Sequence, residues 1–495
     1  MRFEGYSLAE LNDNSMHWKI TLTTISLFLT WSALAANLRV SDVEDYYQVY
    51  PDTIDGYQFT VTWEHSWRND KNHDAAWVFL KSVTGNGYDH VPLRLGSARV
   101  LWKGNEDMPD PKLVISEDHT GLFVYATENY RGPLTYRIFV EYETQALPEN
   151  TRLVRGGVKG YGLEMVYIPE GGFTLGDPRP AAIDNYAFYR SGANGAYDGL
   201  YRIDQENQPI EVGTEPGNLY YRSNRPIYRG DQKGPIPATF PKGVQPFYLM
   251  KYEITQGIYA DFLNSLPSRA ASVRYPAGTP IYQQRGGTLK LENGSFIAER
   301  PEQRMHFLHW DDMMALMDWA GLRPYTEFEY TKACRGPGEP IANEFPWNTG
   351  TLDRLARKID PKTNFMTMQL DLNEGDLTDD NRDVFGASYY WVFDLSGSMW
   401  EKVITPCDSI GRQFTGQHGD GTITSYGFAD VEEWPRGFHN SQGGYGYRGG
   451  GHYGEPWISS ANPYSPIANR PYAAWSAGPR REAYGTRAAR TAPKR

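Results

Sequence analysis

Short runs that alternate apolar and polar residues, separated by glycine, asparagine, aspartate or proline, fill the first third of the chain. The runs are YQFTVTW (57–63), AAWVFLK (75–81), PKLVISE (111–117), GLFVYAT (121–127) and LTYRIFVEYE (134–143). A period of two places successive side chains on opposite faces of a strand, and frequent turn residues between the runs are typical of antiparallel sheets. We therefore predict an N-terminal antiparallel β-sandwich over residues 37–147.

A glycine-containing linker at 148–162 is predicted to separate this domain from a region with more Gly, Tyr and Pro and only a few helical patterns. The helical patterns cover residues 252–266, 309–323 and 326–336. Gly321 and Gly336 mark the C-terminal ends of the second and third helices, because glycine readily adopts the conformation that ends a helix. Thr326 and Glu329 have the spacing of a capping box, which indicates where the third helix begins.

The first 35 residues have the pattern of an export signal. Lys19 follows Met16, an apolar stretch covers 20–31, and Ala33-Leu34-Ala35 is a small-residue cleavage site. We predict a signal peptide at 1–35, with translation starting at Met16, and an exported protein that is periplasmic, on the outer surface or secreted. The apolar stretch is too short for a bilayer core of about 30 Å, which needs ~20 residues, so we predict no membrane span.

The charge balance bears on possible partners. The chain has 49 Lys and Arg against 60 Asp and Glu, which gives a formal net charge of −11. Nonspecific nucleic-acid binding depends on Lys and Arg that displace counterions from phosphates. We therefore expect no nucleic-acid partner.

The chain has only two cysteines, Cys334 and Cys407. In an oxidising compartment an even pair is usually a disulfide, and we predict that these two are joined. The bond would close a loop of about 70 residues and stabilise the fold by roughly 4 kcal/mol in the chain-entropy model. The alternative is two separate buried thiols that behave as small apolar side chains.

Several blocks of the C-terminal region occur in a characteristic order. They are MVYIPEGGFTLGD (165–177), FYLMKYEITQGIYADFLN (247–264), HWDDMMALMDWAGLRPYTEFEYTKACRG (309–336), FPWNTG (345–350), VFDLSGSMWEKV (392–403), YRGGG (447–451) and YGTRAAR (484–490). In this order they resemble the formylglycine-generating enzyme, or sulfatase-modifying factor, family. The resemblance covers residues 163–490 and implies a mixed α+β, C-type-lectin-like domain. Residues 178–240 are an insertion relative to that pattern. A signal peptide on such a domain indicates a Gram-negative bacterium.

The resemblance also shows which chemistry the chain lacks. In the oxidase members two cysteines follow the RGGS block and bind copper(I), a soft metal that requires thiolates. The corresponding positions here fall at about Gly454 and Ser459, so no copper site is recognisable and we predict no oxidase activity. Another branch of the family holds iron with three histidines. His306 and His309 form an HxxH pair here, but a third ligand is not evident, and we interpret them as histidines flanking a helix.

Family members also hold structural calcium, and the resemblance implies one retained site. Its ligands would come from Asn364, Ser398 and Glu401, where Ser398 stands at a position that is asparagine in the family. Hard oxygen ligands of this kind suit calcium.

The region after the glycine-rich stretch at 435–454 forms the open face of the family fold. We predict ligand contacts from Tyr445, Arg448, His452, Tyr453, Trp457, Asn462, Tyr464, Arg470, Tyr472 and Trp475. Aromatic rings beside polar groups suit a peptide, protein or glycan at the cell envelope. The alternative is that these rings fill an irregular core. The function we predict is noncatalytic binding, and the runner-up is a related oxidoreductase that matures sulfatases or performs a metal-dependent oxidation.

Overall fold

A computed structural model describes residues 37–48, 54–84, 87–146, 156–276, 280–360, 362–435, 443–451 and 463–494. The predicted signal peptide at 1–35 lies outside the described residues. Of the described helices, none is long and apolar enough to cross a membrane.

Two antiparallel sheets contain half of the described strands. The smaller sheet has the order β1-β2-β8-β5. Its strands are β1 (Arg39–Gln48), β2 (Ile54–Arg68), β5 (Arg99–Lys103) and β8 (Tyr130–Glu141). The larger sheet contains β3 (Asp74–Thr84), β4 (Gly87–Val91), β6 (Pro111–Ile115), β7 (Leu122–Ala126), β9 (Val158–Ile168), β14 (Phe247–Met250) and β22 (Ala489–Thr491). Its order is β22-β14-β9-β3-β7-β6, with β4 also paired to β3, so strands from both ends of the chain form one sheet.

Strand β3 is buried on both faces. Ala76, Val78 and Leu80 belong to a core to which both sheets contribute. Their neighbours Trp77 and Phe79 belong to the main core of the region that follows. This double burial explains why the run AAWVFLK is almost continuously apolar, whereas YQFTVTW on β2 alternates and buries Phe59 and Val61 on one face.

The predicted linker is partly a strand. Residues 158–162 begin β9, which pairs antiparallel with β3 from Asp74 to Ser82. The glycines there have a packing role, since a Cβ on Gly160 would lie 2.3 Å from Cγ1 of Val40. Residues 148–155 of the predicted linker lie outside the described part of the chain.

The three predicted helices are confirmed, each slightly shorter than its sequence pattern. They are α2 (Gln256–Ser265), α5 (Trp310–Trp319) and α6 (Glu327–Arg335). At the start of α6 the Glu329 backbone N–H donates to Thr326 Oγ1 at 3.2 Å, and the Thr326 N–H donates to Glu329 Oε2 at 2.8 Å. Gly336 follows α6 with a φ of 70°, and Gly321 follows α5 with a φ of 65°, which is the left-handed region that glycine tolerates.

The segment 178–240 is packed against the main core. It contains β11 (Tyr189–Arg190), β12 (Tyr201–Ile203), β13 (Leu219–Tyr220) and α1 (Pro226–Arg229), and β12 pairs with β10 (Phe173–Leu175). Phe188, Tyr221 and Phe240 from this segment are buried, and the rings of Phe188 and Phe240 each contact the ring of Phe328 on α6. The segment therefore contributes to the core.

A three-stranded sheet positions the candidate site. Its central strand β19 (Trp400–Ile404) pairs antiparallel with β20 (Tyr445–Arg448) and parallel with β21 (Tyr484–Gly485). The remaining elements are α3 (Ser268–Arg274), α4 (Pro280–Gln284), β15 (Leu289–Glu292), β16 (Ser295–Ala298), β17 (Arg357–Ile359), β18 (Met366–Met368) and α7 (Arg382–Phe385).

Candidate functional site

A layer of buried aromatic rings lies on the three-stranded sheet. Each strand contributes one ring, namely Trp400 from β19, Tyr447 from β20 and Tyr484 from β21. The Tyr447 and Tyr484 ring centroids are 5.0 Å apart. The Tyr447 hydroxyl donates to the Ala477 carbonyl at 2.6 Å, which satisfies its polar end. The layer is therefore a rigid apolar base.

Three partly exposed rings cover this base, and we call Tyr228, Tyr472 and Trp475 the aromatic face. The centroid of Tyr472 is 5.5 Å from Trp400, and that of Trp475 is 5.4 Å from Tyr447. Tyr228, from helix α1, lies 6.0 Å from Tyr472 and 6.1 Å from Trp475. Its carbonyl accepts from the Ala474 N–H at 2.9 Å, which ties the insertion to the face.

The rim of the aromatic face combines an apolar and a cationic side chain. Ile227 is 71% exposed, the largest fraction among the exposed large apolar residues of the described chain. The exposed Arg225 has its guanidinium carbon 5.9 Å from the Tyr228 ring centroid. Tyr228 is not among the ligand contacts predicted from sequence, because it lies in the predicted insertion at 178–240, about 240 positions before the rings that it joins.

Arg448 and Arg470, both predicted ligand contacts, are instead part of a buried ion cluster. Each has a side-chain exposure of 1%, and both bind Glu327 at the start of α6. Arg448 Nη1 donates to Glu327 Oε1 at 2.9 Å, and Arg470 Nε donates to the same oxygen at 2.5 Å. A buried carboxylate needs such partners. The two guanidinium groups therefore pair with a buried carboxylate and are not exposed to a ligand.

The other predicted contacts divide into four groups. Tyr445 is buried and stacks on Trp310 with centroids 4.3 Å apart, so it is a core residue. Tyr464 is partly buried beside Trp347, at 6.3 Å, away from the three rings of the aromatic face. His452, Tyr453, Trp457 and Asn462 lie outside the described residues, as do Gly454 and Ser459. Tyr472 and Trp475 alone among the described candidates belong to the aromatic face.

The two cysteines are both free and buried, in contrast to the predicted disulfide. Cys334 lies on α6 in a second core, and Cys407 lies in the main core. Arg470 Nη2 donates to Cys407 Sγ at 2.8 Å. Burial raises the pKa of the Cys334 thiol to about 12 and that of Cys407 to about 11. The two side chains pack in different cores, which matches the alternative of two separate thiols.

The histidine pair has structural roles. His306 is buried, with Nε2 at 2.6 Å from the Arg285 carbonyl, and burial lowers its pKa to about 3. His309 is the N-cap of α5, and its backbone N–H donates to Asp312 Oδ2 at 2.8 Å. These contacts agree with the interpretation that the pair flanks a helix.

Within the described chain, one group of three acidic residues has oxygens close enough to hold an ion, namely Asp318, Asp420 and Asp430. Asp318 already accepts the backbone N–H groups of Asp420 at 3.2 Å and Asp430 at 3.0 Å. Burial raises the pKa of Asp318 to about 8. Lys81, whose Nζ donates to the Trp319 carbonyl at 2.6 Å, is the adjacent cation. The hydrogen bonds between Asp318 and the backbone of Asp420 and Asp430 therefore account for the closeness of the three carboxylates.

The three predicted calcium ligands are each engaged by protein groups. Glu401 accepts from Arg487, Asn364 accepts from Arg304, and Ser398 donates to Glu253. Calcium binds six to eight oxygens. Two of the three side chains meet a guanidinium group instead, so the residues present do not fit a calcium ion.

A scan of family models matches residues 200–492 to the Sulfatase-modifying factor enzyme 1-like domain. The match covers more than half of the chain and agrees with the resemblance of the blocks at 247–264 and 309–336. The chain belongs to this family. A search of curated proteins finds no match.

Proposed function

We propose that this family member is a noncatalytic recognition protein that binds a peptide or a glycan at the aromatic face. The observation that carries the proposal is the set of partly exposed rings of Tyr228, Tyr472 and Trp475, held over a buried aromatic layer next to β20. Rings that are already fixed lose little conformational entropy when a ligand stacks on them.

This chain lacks the two cysteines that react in the thiol chemistry of the family. Gly454 and Ser459 stand where the family has cysteines, and neither can supply a thiolate. Cys334 and Cys407 cannot replace them, because burial raises both thiol pKa values far above neutral pH. The thiolate is the form that binds metal and attacks a substrate. Recognition without turnover is therefore the function that these residues favour.

The proposal also covers the two predicted domains and the cellular location of the protein. Residues 37–147 would form a β-sandwich, supported by the core that both sheets share. Residues 163–490 would form a C-type-lectin-like domain, supported by the family match. The signal pattern at 1–35 supports export to the cell envelope. There the aromatic face would meet an envelope peptide, protein segment or glycan.

Binding can be tested with the purified chain from Ala36 onward on arrays of peptides and of glycans. We expect one array to give a saturable ligand, and Trp475→Ala to weaken its affinity by roughly tenfold or more. Trp102→Ala is the matched control, because Trp102 is 55% exposed on β5, an edge strand of a sheet that contains none of the three rings of the aromatic face. Equal loss with both variants, or no loss with Trp475→Ala, would refute binding at this face.

Catalysis is tested separately by oxygen uptake with a sulfatase-type cysteine peptide. We expect no uptake above buffer, with or without added copper. Uptake that depends on the protein and forms an aldehyde on the peptide would overturn the noncatalytic assignment and favour sulfatase maturation.

A further inference from the structure

Two buried arginines occupy the places where the family resemblance implies calcium. The implied ligands Asn364, Ser398 and Glu401 are all buried. Arg304 and Arg487 reach them from other parts of the chain, one before helix α5 and one after strand β21. Both arginines form hydrogen bonds with the ligand oxygens.

The Arg487 guanidinium group forms a bidentate ion pair with the Glu401 carboxylate. Its Nε and Nη2 each donate to one carboxylate oxygen at 2.7 Å, and both side chains have 0% exposure. The Tyr325 hydroxyl donates to Glu401 Oε2 at 2.6 Å. A planar guanidinium matches the two oxygens of a carboxylate, so this is the strongest geometry available to such a pair.

Arg304 binds Asn364 in the same way, with two donors on two oxygens. Its Nη1 donates to the Asn364 carbonyl at 2.9 Å, and its Nη2 donates to Oδ1 at 3.1 Å. A backbone carbonyl and a side-chain amide oxygen are the kinds of oxygen that calcium binds. Here both oxygens face a permanent cation, since arginine is not deprotonated in proteins.

Ser398 belongs to the same buried network. Its hydroxyl donates to Glu253 Oε2 at 2.6 Å, and the Met399 N–H donates to Oε1 at 3.1 Å. Glu253 and Ser398 line a small pocket together with Arg304 and Arg357. Arg357 forms a bidentate pair with Asp394 at 2.9 and 2.6 Å. The carboxylates of the pocket thus have guanidinium partners or hydrogen-bond donors.

We infer that Asn364, Ser398 and Glu401 do not hold calcium in this chain, because Arg304 and Arg487 already bind two of them, and that the fold needs no ion at these residues. The guanidinium groups supply the positive charge and the hydrogen-bond donors that an ion would otherwise provide to Glu401 and Asn364. The same charges repel a divalent cation that approaches these oxygens. The inference concerns the framework of the domain and does not depend on the ligand of the aromatic face.

The direct test compares the full chain, purified without chelator, in EGTA and in millimolar calcium chloride. We expect well below one bound calcium per chain by elemental analysis. The two thermal midpoints should agree within about 1 °C, because a ligand raises the midpoint only if the folded state binds it. Stoichiometric calcium, or a clear rise of the midpoint with calcium, would overturn the inference.

Variants test whether the arginines have this role. Arg487→Gln and Arg304→Gln should each lower the thermal midpoint, Arg487→Gln by roughly 5 °C or more because it leaves a buried carboxylate unpaired. The matched control is Arg190→Gln, since Arg190 pairs with Asp198 at 3.1 Å on the exposed surface. Midpoints equal to that of the control would overturn the inference. If Arg487→Gln fails to fold, Arg304→Gln and the calcium measurement on the unmodified chain decide the question.

Discussion

Replacing Glu327 by glutamine removes the only carboxylate in the described contacts of two buried arginines. Glu327 Oε1 accepts from Arg448 at 2.9 Å and from Arg470 at 2.5 Å, and Oε2 accepts from Arg470 at 3.2 Å. Glutamine has nearly the same shape, but its NH2 group can only donate and would face guanidinium donors. Breaking a buried ion pair from one side costs about 3–5 kcal/mol. We expect Glu327→Gln to lose this much in free energy of unfolding.

The measurement is urea denaturation at neutral pH, followed by tryptophan fluorescence and by circular dichroism. Asp198→Asn serves as the control, because its exposed pair with Arg190 should contribute at most about 1 kcal/mol. A loss below about 1 kcal/mol in Glu327→Gln would refute the structural role of the cluster. If Glu327→Gln loses less than about 1 kcal/mol in free energy of unfolding and also loses affinity for the array ligand, Arg448 and Arg470 would again be candidate ligand contacts.

Buried titratable groups give two further tests. Burial raises the pKa of Glu253 from 4.5 to about 8, so the folded state holds a proton that the unfolded chain releases. This contribution to stability is full below about pH 4.5 and is lost as pH rises towards 8. Glu253→Gln should therefore flatten the fall in unfolding free energy between about pH 4.5 and 8, and an unchanged slope would contradict this. Cys334 and Cys407 should resist a thiol reagent when folded and titrate as two thiols in denaturant, whereas a disulfide would give none.

Local features of the fold could be predicted from sequence with good accuracy. The capping box of Thr326 and Glu329 and the glycines after α5 and α6 fix helix ends through residues three or four positions apart. The strands β2 and β8 cover runs whose alternation the sequence shows directly. These features are predictable because the interacting groups are neighbours in the chain.

The ligand residues were harder to predict, because burial depends on contacts between distant segments. Arg448 and Arg470 look like surface cations in a glycine-rich, aromatic stretch, yet their partner Glu327 lies 121 and 143 positions away. Tyr228 joins the aromatic face from the segment 178–240, which was predicted to be an insertion and contains none of the resembling blocks. No periodic pattern links such residues, so their roles could not be read from the sequence.

The sequence by itself determined the family, through ordered blocks such as 247–264 and 309–336, and the absence of thiols at Gly454 and Ser459. The tertiary structure decided that β3 is shared by two cores and that two of the three implied calcium ligands face arginines. The reason is physical. Composition and local spacing are properties of the chain, whereas a buried charge is stable only beside a partner of opposite sign, and folding alone brings that partner into contact.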